Sequence, residues 1–140
     1  MLNVKDKRII QLIIEHCLTI EGVVFNINKE QFENDVVLRN SVCFDILQIG
    51  ELAKALSNEF ILKYNHVPWK DIKGMRDWVA HGYHKIEVSR VWKTAIEDIK
   101  PLREYCEGIL QQSWGTLNNQ VFGKTHMNKG RPNCAAMHTN

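Results

Sequence analysis

Residues 42–60, VCFDILQIGELAKALSNEF, carry apolar side chains at alternating steps of four and three. This spacing places the apolar side chains on one face of a helix, which predicts a helix over residues 35–60 with a seam suited to bundle packing. Gly50 lies inside this helix, where glycine costs about 1 kcal/mol relative to alanine. We therefore expect Gly50 to permit the close approach of another helix. The seam consists of Val42, Ile46, Ile49, Ala53, Leu56 and Phe60.

Helical spacing of apolar side chains continues on both sides of this stretch. Asn28 is a suitable N-cap for a short helical turn. No segment shows the alternating pattern or the Asn-Gly and Asp-Gly pairs of a β-hairpin, so the sequence predicts an all-α domain. Further helices are expected over residues 4–25, 69–81 and 87–112, with the short turn over 29–32.

Two prolines and one glycine are expected to shape the second half of this domain. Pro68 suits the first turn of the helix over 69–81, where its missing N–H costs nothing. Gly82 suits the position that ends the same helix. Pro101 falls inside the last helix and removes its bond to the Glu97 carbonyl, so we expect a kink there.

The chain of 140 residues suits one domain, which we assign to residues 1–112. Residues 113–140 are polar and rich in helix breakers, and we expect a disordered tail there. The charged N-terminus does not resemble a signal peptide, and no apolar run is long enough to span a membrane, which indicates a cytoplasmic protein. The four cysteines form no Cys-x-x-Cys pair, so neither a disulfide framework nor a zinc site is expected.

Charge is distributed unevenly along the chain. Residues 1–62 hold six basic and nine acidic side chains, and residues 63–93 hold seven basic and three acidic side chains. The second segment therefore carries a net charge of +4 in a domain that is otherwise acidic. A local cationic zone of this kind fits a site that binds phosphates, and the alternative is an ordinary solvated face.

The candidate site lies in residues 74–84, GMRDWVAHGYH. On a regular helix, the side chains of Arg76 and His81 point about 140° apart and would converge poorly. We expect Gly82 to end the helix and so free His81 and Tyr83 from this angular rule. In a two-fold dimer, a second copy of the chain would bring two such helix ends to one cleft.

Arg76 and His81 are the residue types that cleavage of RNA requires. An RNA 2′-OH attacks its adjacent phosphate when a base takes its proton and a cation stabilises the charged oxygens, and histidine and arginine fill these roles. Asp77 lies one turn before His81, where it is placed to orient the ring or to hold a water. No carboxylate cluster accompanies these residues, which disfavours a Mg²⁺ mechanism. The alternative interpretation is a surface arginine and a helix-capping histidine.

The context of the motif resembles a known family. Residues 76–83, RDWVAHGY, resemble the Arg-x4-His-x-Tyr motif of HepT-like HEPN toxins. Residues 48–57, QIGELAKALS, resemble the second-helix signature of that family, and residues 67–75, VPWKDIKGM, resemble the run that leads into its motif. Residues 91–102 resemble its last helix. The resemblance covers about residues 4–110 in the expected order.

The resemblance implies a four- to five-helix bundle that forms a homodimer with the motif at the dimer cleft. It implies the toxin of a toxin–antitoxin system, a metal-independent endoribonuclease without a cofactor, in which Arg76 and His81 are catalytic and Asp77 supports them. Tyr83 matches the position that a partner nucleotidyltransferase antitoxin modifies with AMP. Bulk and negative charge attached there are expected to occupy the phosphate site and exclude RNA.

Two points of the resemblance stay open. Asparagine is also common at the position of Asp77, and the role of His84 is either in the site or as a helix cap. The alternative function is that of a non-catalytic, nucleotide-binding partner subunit of a minimal nucleotidyltransferase, in which Arg76 and His81 hold a nucleotide phosphate.

Overall fold

The computed structural model describes residues 2–81 and 87–121, with side chains described as far as residue 112. Every regular element in these residues is helical, which confirms the predicted all-α fold. The helices are α1 (Val4–Val24), α2 (Lys29–Asn34), α3 (Val36–Lys54), α4 (Asn58–Lys63), α5 (Trp69–His81), α6 (Val88–Lys93) and α7 (Ile99–Val121), with a π-helical turn over Thr94–Asp98.

The bundle is organised around α3, which packs against α1 on one side and α5 on the other, while α7 packs against α1. All the predicted seam residues of 42–60 are buried, and the isoleucines among them are completely inaccessible. Burying such a side chain contributes about 1.5–3 kcal/mol relative to leaving it exposed. The apolar seam is therefore the main reason why these helices associate.

The prediction of one continuous helix over 35–60 is wrong. The chain leaves the helix after Lys54, and α4 starts again with Ser57 as its N-cap. The Ser57 backbone N–H and hydroxyl both donate to the carboxylate of Asp6 in α1, at 3.0 and 2.6 Å. Asp6 is only 2 % exposed. A buried acceptor from another helix thus favours a new helix start at Ser57 over continuation.

The predicted bounds of α5 are confirmed at Trp69 and His81. Pro68 immediately precedes α5, and its carbonyl accepts the first helical bond from the Ile72 N–H at 3.1 Å. Proline's fixed φ and missing N–H are tolerated at this start. The predicted terminator, Gly82, lies outside the described residues.

The last predicted helix contains an irregularity, but at a different place from the predicted kink. The π turn Thr94–Asp98 joins α6 to α7, and the Ile99 N–H bonds to the Thr94 carbonyl. The ring of Pro101 would crowd the Glu97 carbonyl in a regular helix, and a wider turn at that carbonyl lets the helix continue.

The helical backbone also extends beyond the predicted end of the domain at residue 112, because α7 continues to Val121. Once a helix is formed, each further residue adds one backbone bond, so propagation is less costly than nucleation. Residues 122–140 lie outside the described residues, and the division into a domain and a disordered tail stays a prediction.

Three of the cysteines lie in the helices as free, buried thiols, namely Cys17, Cys43 and Cys106. Burial is the first cause of the raised pKa of each thiol, and it raises the pKa of Cys106 to about 12. These side chains act as small apolar residues of the core, whereas Cys134 lies outside the described residues. In the part of the chain that is described, no helix has the length and apolar character needed to cross a membrane.

Candidate active site on α5

The site is built where α5 lies against α3, and Gly50 is the point of closest approach. A Cβ atom at Gly50 would lie 2.5 Å from the backbone nitrogen of Arg76 and 2.6 Å from its Cβ. Any larger residue at 50 would therefore push against the backbone of Arg76. The expectation that Gly50 permits a close helix approach is confirmed, and the residue that it admits is the candidate catalytic arginine.

Arg76 is oriented by a carboxylate from α3. Its Nε donates to Glu51 Oε1, and this bond fixes the orientation of the guanidinium. The Nη1 atom lies 3.3 Å from His81 Nε2 and 3.6 Å from Asp77 Oδ1. The Arg76 side chain is 33 % exposed, so the guanidinium is held in place but remains open to a ligand.

A second residue of α3 holds Asp77. Lys54 Nζ lies 2.8 Å from Asp77 Oδ1. This hydrogen bond is the main reason why the pKa of Asp77 lies below its usual range, and the positive charges of Lys54 and Arg76 lower it further. Asp77 therefore carries a negative charge at any pH near neutrality.

The expectation that Arg76 and His81 converge poorly within one helix is wrong. Both residues belong to α5, and their side chains meet within a single chain without help from a second copy. The angular rule describes the direction of the Cα–Cβ bonds, whereas a long, flexible arginine side chain reaches around the helix.

The five residues Glu51, Lys54, Arg76, Asp77 and His81 form what we call the site network. Sequence reasoning identified the three members on α5 and missed Glu51 and Lys54. Both missed residues lie in the stretch 48–57. Glu51 directly follows Gly50, and Lys54 lies four positions after it. A charged residue next to a glycine that marks a helix contact is the signal that could have identified Glu51.

Two further residues of the motif, Tyr83 and His84, lie outside the described residues. Structure therefore bears only on the part of the candidate site that ends at His81. His81 itself is exposed, as a group that exchanges protons with a substrate must be. Within the described ranges, no group of three or more His, Cys, Asp and Glu side chains is placed to hold a metal ion.

The site network can bind a phosphate and transfer a proton. A guanidinium offers planar N–H donors that match the oxygens of a phosphate, and an adjacent imidazole accepts or donates a proton at neutral pH. Glu51 fixes the orientation of the guanidinium, because Nε is occupied. The site network thus combines an oriented phosphate-binding cation with a proton-transfer group.

One prediction concerns the charge of Asp77. Replacing Lys54 with methionine is expected to raise the pKa of Asp77 toward its ordinary value of 3.8, because the hydrogen bond that lowers it is removed. A group with a depressed pKa stabilises the folded state above its ordinary pKa and loses this contribution as pH falls through the depressed value. An NMR titration of the Asp77 carboxyl carbon measures the shift, with Lys100→Met as the control. An unchanged pKa in Lys54→Met would contradict the contact.

Comparison with known proteins identifies the family of the chain. The family model described as "Ribonuclease HepT-like" matches residues 13–109, which include the whole site network. A protein of Caldanaerobacter subterraneus subsp. tengcongensis named "Putative RNase" is 35 % identical over 100 residues, which cover 71 % of this chain and 89 % of that protein.

Two archaeal relatives are also similar. A "Putative RNase" of Methanocaldococcus jannaschii is 29 % identical over 109 residues, covering 78 % of this chain and 90 % of the relative. The "Probable ribonuclease HepT" of Thermococcus cleftensis is 30 % identical over 83 residues, covering 53 % of this chain and 76 % of the relative. No solved structure matches the chain. The family match and these relatives show that the chain belongs to the HepT-like ribonuclease family.

Proposed function

We propose that the protein is a metal-independent endoribonuclease and the toxin of a toxin–antitoxin system in the cytoplasm, with Arg76 and His81 as its catalytic residues. The observation that carries this proposal is the 3.3 Å separation of Arg76 Nη1 and His81 Nε2 on an exposed helix end. Membership in the HepT-like ribonuclease family supports the same assignment.

The proposed reaction uses the RNA as its own nucleophile. His81 takes the proton of a ribose 2′-OH, and the 2′-oxygen attacks the adjacent phosphorus. The bond from phosphorus to the 5′-oxygen breaks, and this oxygen leaves with a proton from an imidazolium. Arg76 binds the phosphate oxygens and stabilises the charge that builds up on them. The products are a 2′,3′-cyclic phosphate and a free 5′-OH.

Glu51 and Lys54 act as positioning residues in this proposal, because neither needs to touch the RNA. Glu51 holds the guanidinium in one orientation, and Lys54 holds the carboxylate of Asp77 beside it. Asp77 is the supporting residue, and its charge limits the net positive charge at the site. Phosphate binding therefore depends on the Arg76 side chain and also on the contacts with α3 that hold this side chain in place.

We also propose that the protein is a homodimer with the site at the dimer cleft. Val37 and Phe44 are apolar side chains on α3 with exposures of 71 % and 57 %. They lie seven residues apart, and Glu51 follows at the same interval. Residues at this spacing share one side of a helix, so a second copy that covers Val37 and Phe44 would lie next to the site network.

The dimer proposal predicts the effect of a charge at position 44. Phe44→Glu is expected to weaken self-association by about 2 kcal/mol or more, roughly thirtyfold in the dissociation constant, because a charge would be buried in an apolar contact. Light scattering after size-exclusion chromatography measures this change. Leu62→Glu is the matched control, since Leu62 is 73 % exposed on α4 and should leave the dimer intact. Equal weakening by both variants would argue against an interface at Phe44.

Regulation is proposed to occur at Tyr83 through a partner nucleotidyltransferase antitoxin. The Tyr83 oxygen attacks the α-phosphate of ATP on the partner, pyrophosphate leaves, and AMP remains on the tyrosine. Tyr83 lies two residues after His81 in the sequence. A phosphate attached so near in the chain would compete with RNA for the Arg76 guanidinium.

Expression of the full chain in a bacterial host tests this proposal. We expect growth arrest when the chain is expressed alone and relief when the adjacent nucleotidyltransferase is expressed with it. Mass spectrometry should then detect AMP on the protein but not on Tyr83→Phe. The purified, unmodified protein should cleave RNA in EDTA. Cleavage that requires added metal would contradict the mechanism, and nucleotide binding without cleavage or growth arrest would favour the role of a non-catalytic partner subunit.

A further inference from the structure

A groove of about 650 Å³ lies on the side of α5 that faces away from α3. Its second wall is formed by α6 and the π turn. Three cationic side chains line the groove: Lys70 from α5, and Arg90 and Lys93 from α6. None of the residues that build this groove belongs to the site network.

The cations of the groove are available to a ligand. Among the described residues, no carboxylate lies within ion-pair distance of Lys70, Arg90 or Lys93, although Asp71 and Asp98 also line the groove. Some cations elsewhere in the fold are neutralised by carboxylates. Arg103, for example, pairs with Glu21 and Glu107. Unpaired cations that line one concave surface attract an anion with several charges.

Trp78 gives the groove a planar aromatic surface. Its side chain packs partly against the core, and the guanidinium of Arg90 lies over its ring, 4.3 Å from the ring centre. Unstacked nucleic-acid bases stack on aromatic rings and on arginine guanidinium planes. The groove therefore offers contacts for both parts of a nucleotide, namely the phosphate and the base.

The groove and the proposed site share one helix, α5. Gly74, Trp78 and His81 are spaced by four and three residues, so they lie on one face of α5. Gly74 and Trp78 line the groove, and His81 follows them along this face, at residue 81 of α5. A strand that follows the groove along α5 would thus reach the imidazole.

We propose that this groove binds single-stranded RNA on one side of the bond to be cut, with Lys70, Arg90 and Lys93 contacting its phosphates. This inference rests on the proposed function for the identity of the ligand. A volume of about 650 Å³ falls in the range of sites for small molecules, which suits nucleotides of one strand. Stacking on the Trp78 ring or on the Arg90 guanidinium requires the unstacked bases of a single strand. The groove then sets affinity, while Arg76 and His81 carry out the chemistry.

The first test measures RNA binding separately from cleavage. The probe is a fluorescent single-stranded RNA with 2′-O-methyl groups, which lacks the nucleophile of the proposed reaction, and the readout is fluorescence anisotropy of the full chain at several salt concentrations. The double variant Lys70→Gln/Lys93→Gln is expected to bind about tenfold more weakly. The slope of log affinity against log salt should fall by about 0.7 for each lost phosphate contact. Lys100→Gln, a cation of α7 outside the groove, is the control and should bind as the wild type does.

A second variant tests the location without removing a cation. A Cβ at Gly74 would meet no atom within 4 Å, and the same is true of Gly22 in α1. Gly74→Glu places a negative charge in the groove and is expected to reduce RNA binding, whereas Gly22→Glu adds the same charge elsewhere and should have little effect. Circular dichroism establishes that both variants are folded.

The outcomes separate this inference from the proposed function. If the wild type binds the probe and all the groove variants bind equally well, the inference is overturned even if the protein cleaves RNA. If the groove variants lose binding while the wild type cleaves no RNA, the groove stands and the catalytic proposal fails. A double-stranded RNA that competes as well as the single strand would also overturn the inference.

Discussion

Arg76→Ala and His81→Ala are each expected to reduce RNA cleavage by about a hundredfold or more while leaving the fold intact. A positioned general acid or base typically contributes about 10²–10⁴-fold to the rate of a reaction. Loss of the guanidinium removes charge-assisted bonds to the phosphate. His81 is exposed and Arg76 is one-third exposed, so neither truncation opens a cavity in the core.

The measurement is the single-turnover rate of cleavage of a labelled RNA in EDTA, with thermal unfolding as the check on the fold. Arg76→Lys is the informative companion variant. Lysine keeps the charge but offers one ammonium group, which cannot bind Glu51 and a phosphate in the fixed geometry of a guanidinium. We expect Arg76→Lys to recover little activity. A cleavage rate near that of the wild type in His81→Ala would remove proton transfer by His81 from the mechanism.

Gly50→Ala is expected to destabilise the protein by about 2 kcal/mol and to lower RNA cleavage by about tenfold or more. Alanine gains about 1 kcal/mol over glycine in helix propensity, but its Cβ would lie 2.5 Å from the Arg76 backbone nitrogen. The neighbouring atoms belong to a helix backbone, which moves only if α3 and α5 separate. Overpacking in a close-packed interior costs roughly 1–3 kcal/mol, and more where the backbone must shift.

Activity should be more sensitive than stability to this substitution. Separation of α3 from α5 moves Arg76 away from Glu51, and a misplacement of about 1 Å at a reacting centre can cost about a hundredfold in rate. Urea denaturation and cleavage kinetics on the same preparations measure both effects. Gly22→Ala and Gly108→Ala are matched controls, because a Cβ at either position meets no atom within 4 Å. Both are expected to be neutral or stabilising. A stabilised and fully active Gly50→Ala would show that the two helices lie farther apart than described.

Local pattern was sufficient to predict most of the helices but not all their interruptions. The apolar seam of residues 42–60 and the bounds of α5 follow from spacing within one element. The break before Ser57 depends on Asp6, a residue 51 positions earlier in the chain, and no local pattern contains that information. The π turn could be predicted only in part from local sequence. Pro101 signals an irregularity in the last helix but does not fix the position at which the helix widens.

The same distinction applies to the site. Residue type and spacing identified Arg76, His81 and Asp77, since all three lie in one short motif on α5. Glu51 and Lys54 come from α3, and their role follows only from the docking of two helices. The contact between Arg76 and His81 was not predicted, because the direction of the Cα–Cβ bond does not determine where the guanidinium of a long arginine side chain lies.

The Asp6 carboxylate has a practical consequence for work with this protein. Its oxygens accept the two bonds that Ser57, the N-cap of α4, donates, so the beginning of α4 depends on the first turn of α1. Deleting the first six residues would leave the Ser57 N–H and hydroxyl without their acceptor, at a cost of roughly 1–3 kcal/mol for a buried unsatisfied group. Shortened versions intended for crystallisation should therefore keep Asp6, and a cleavable affinity tag at this end should leave Asn3 and Asp6 in place.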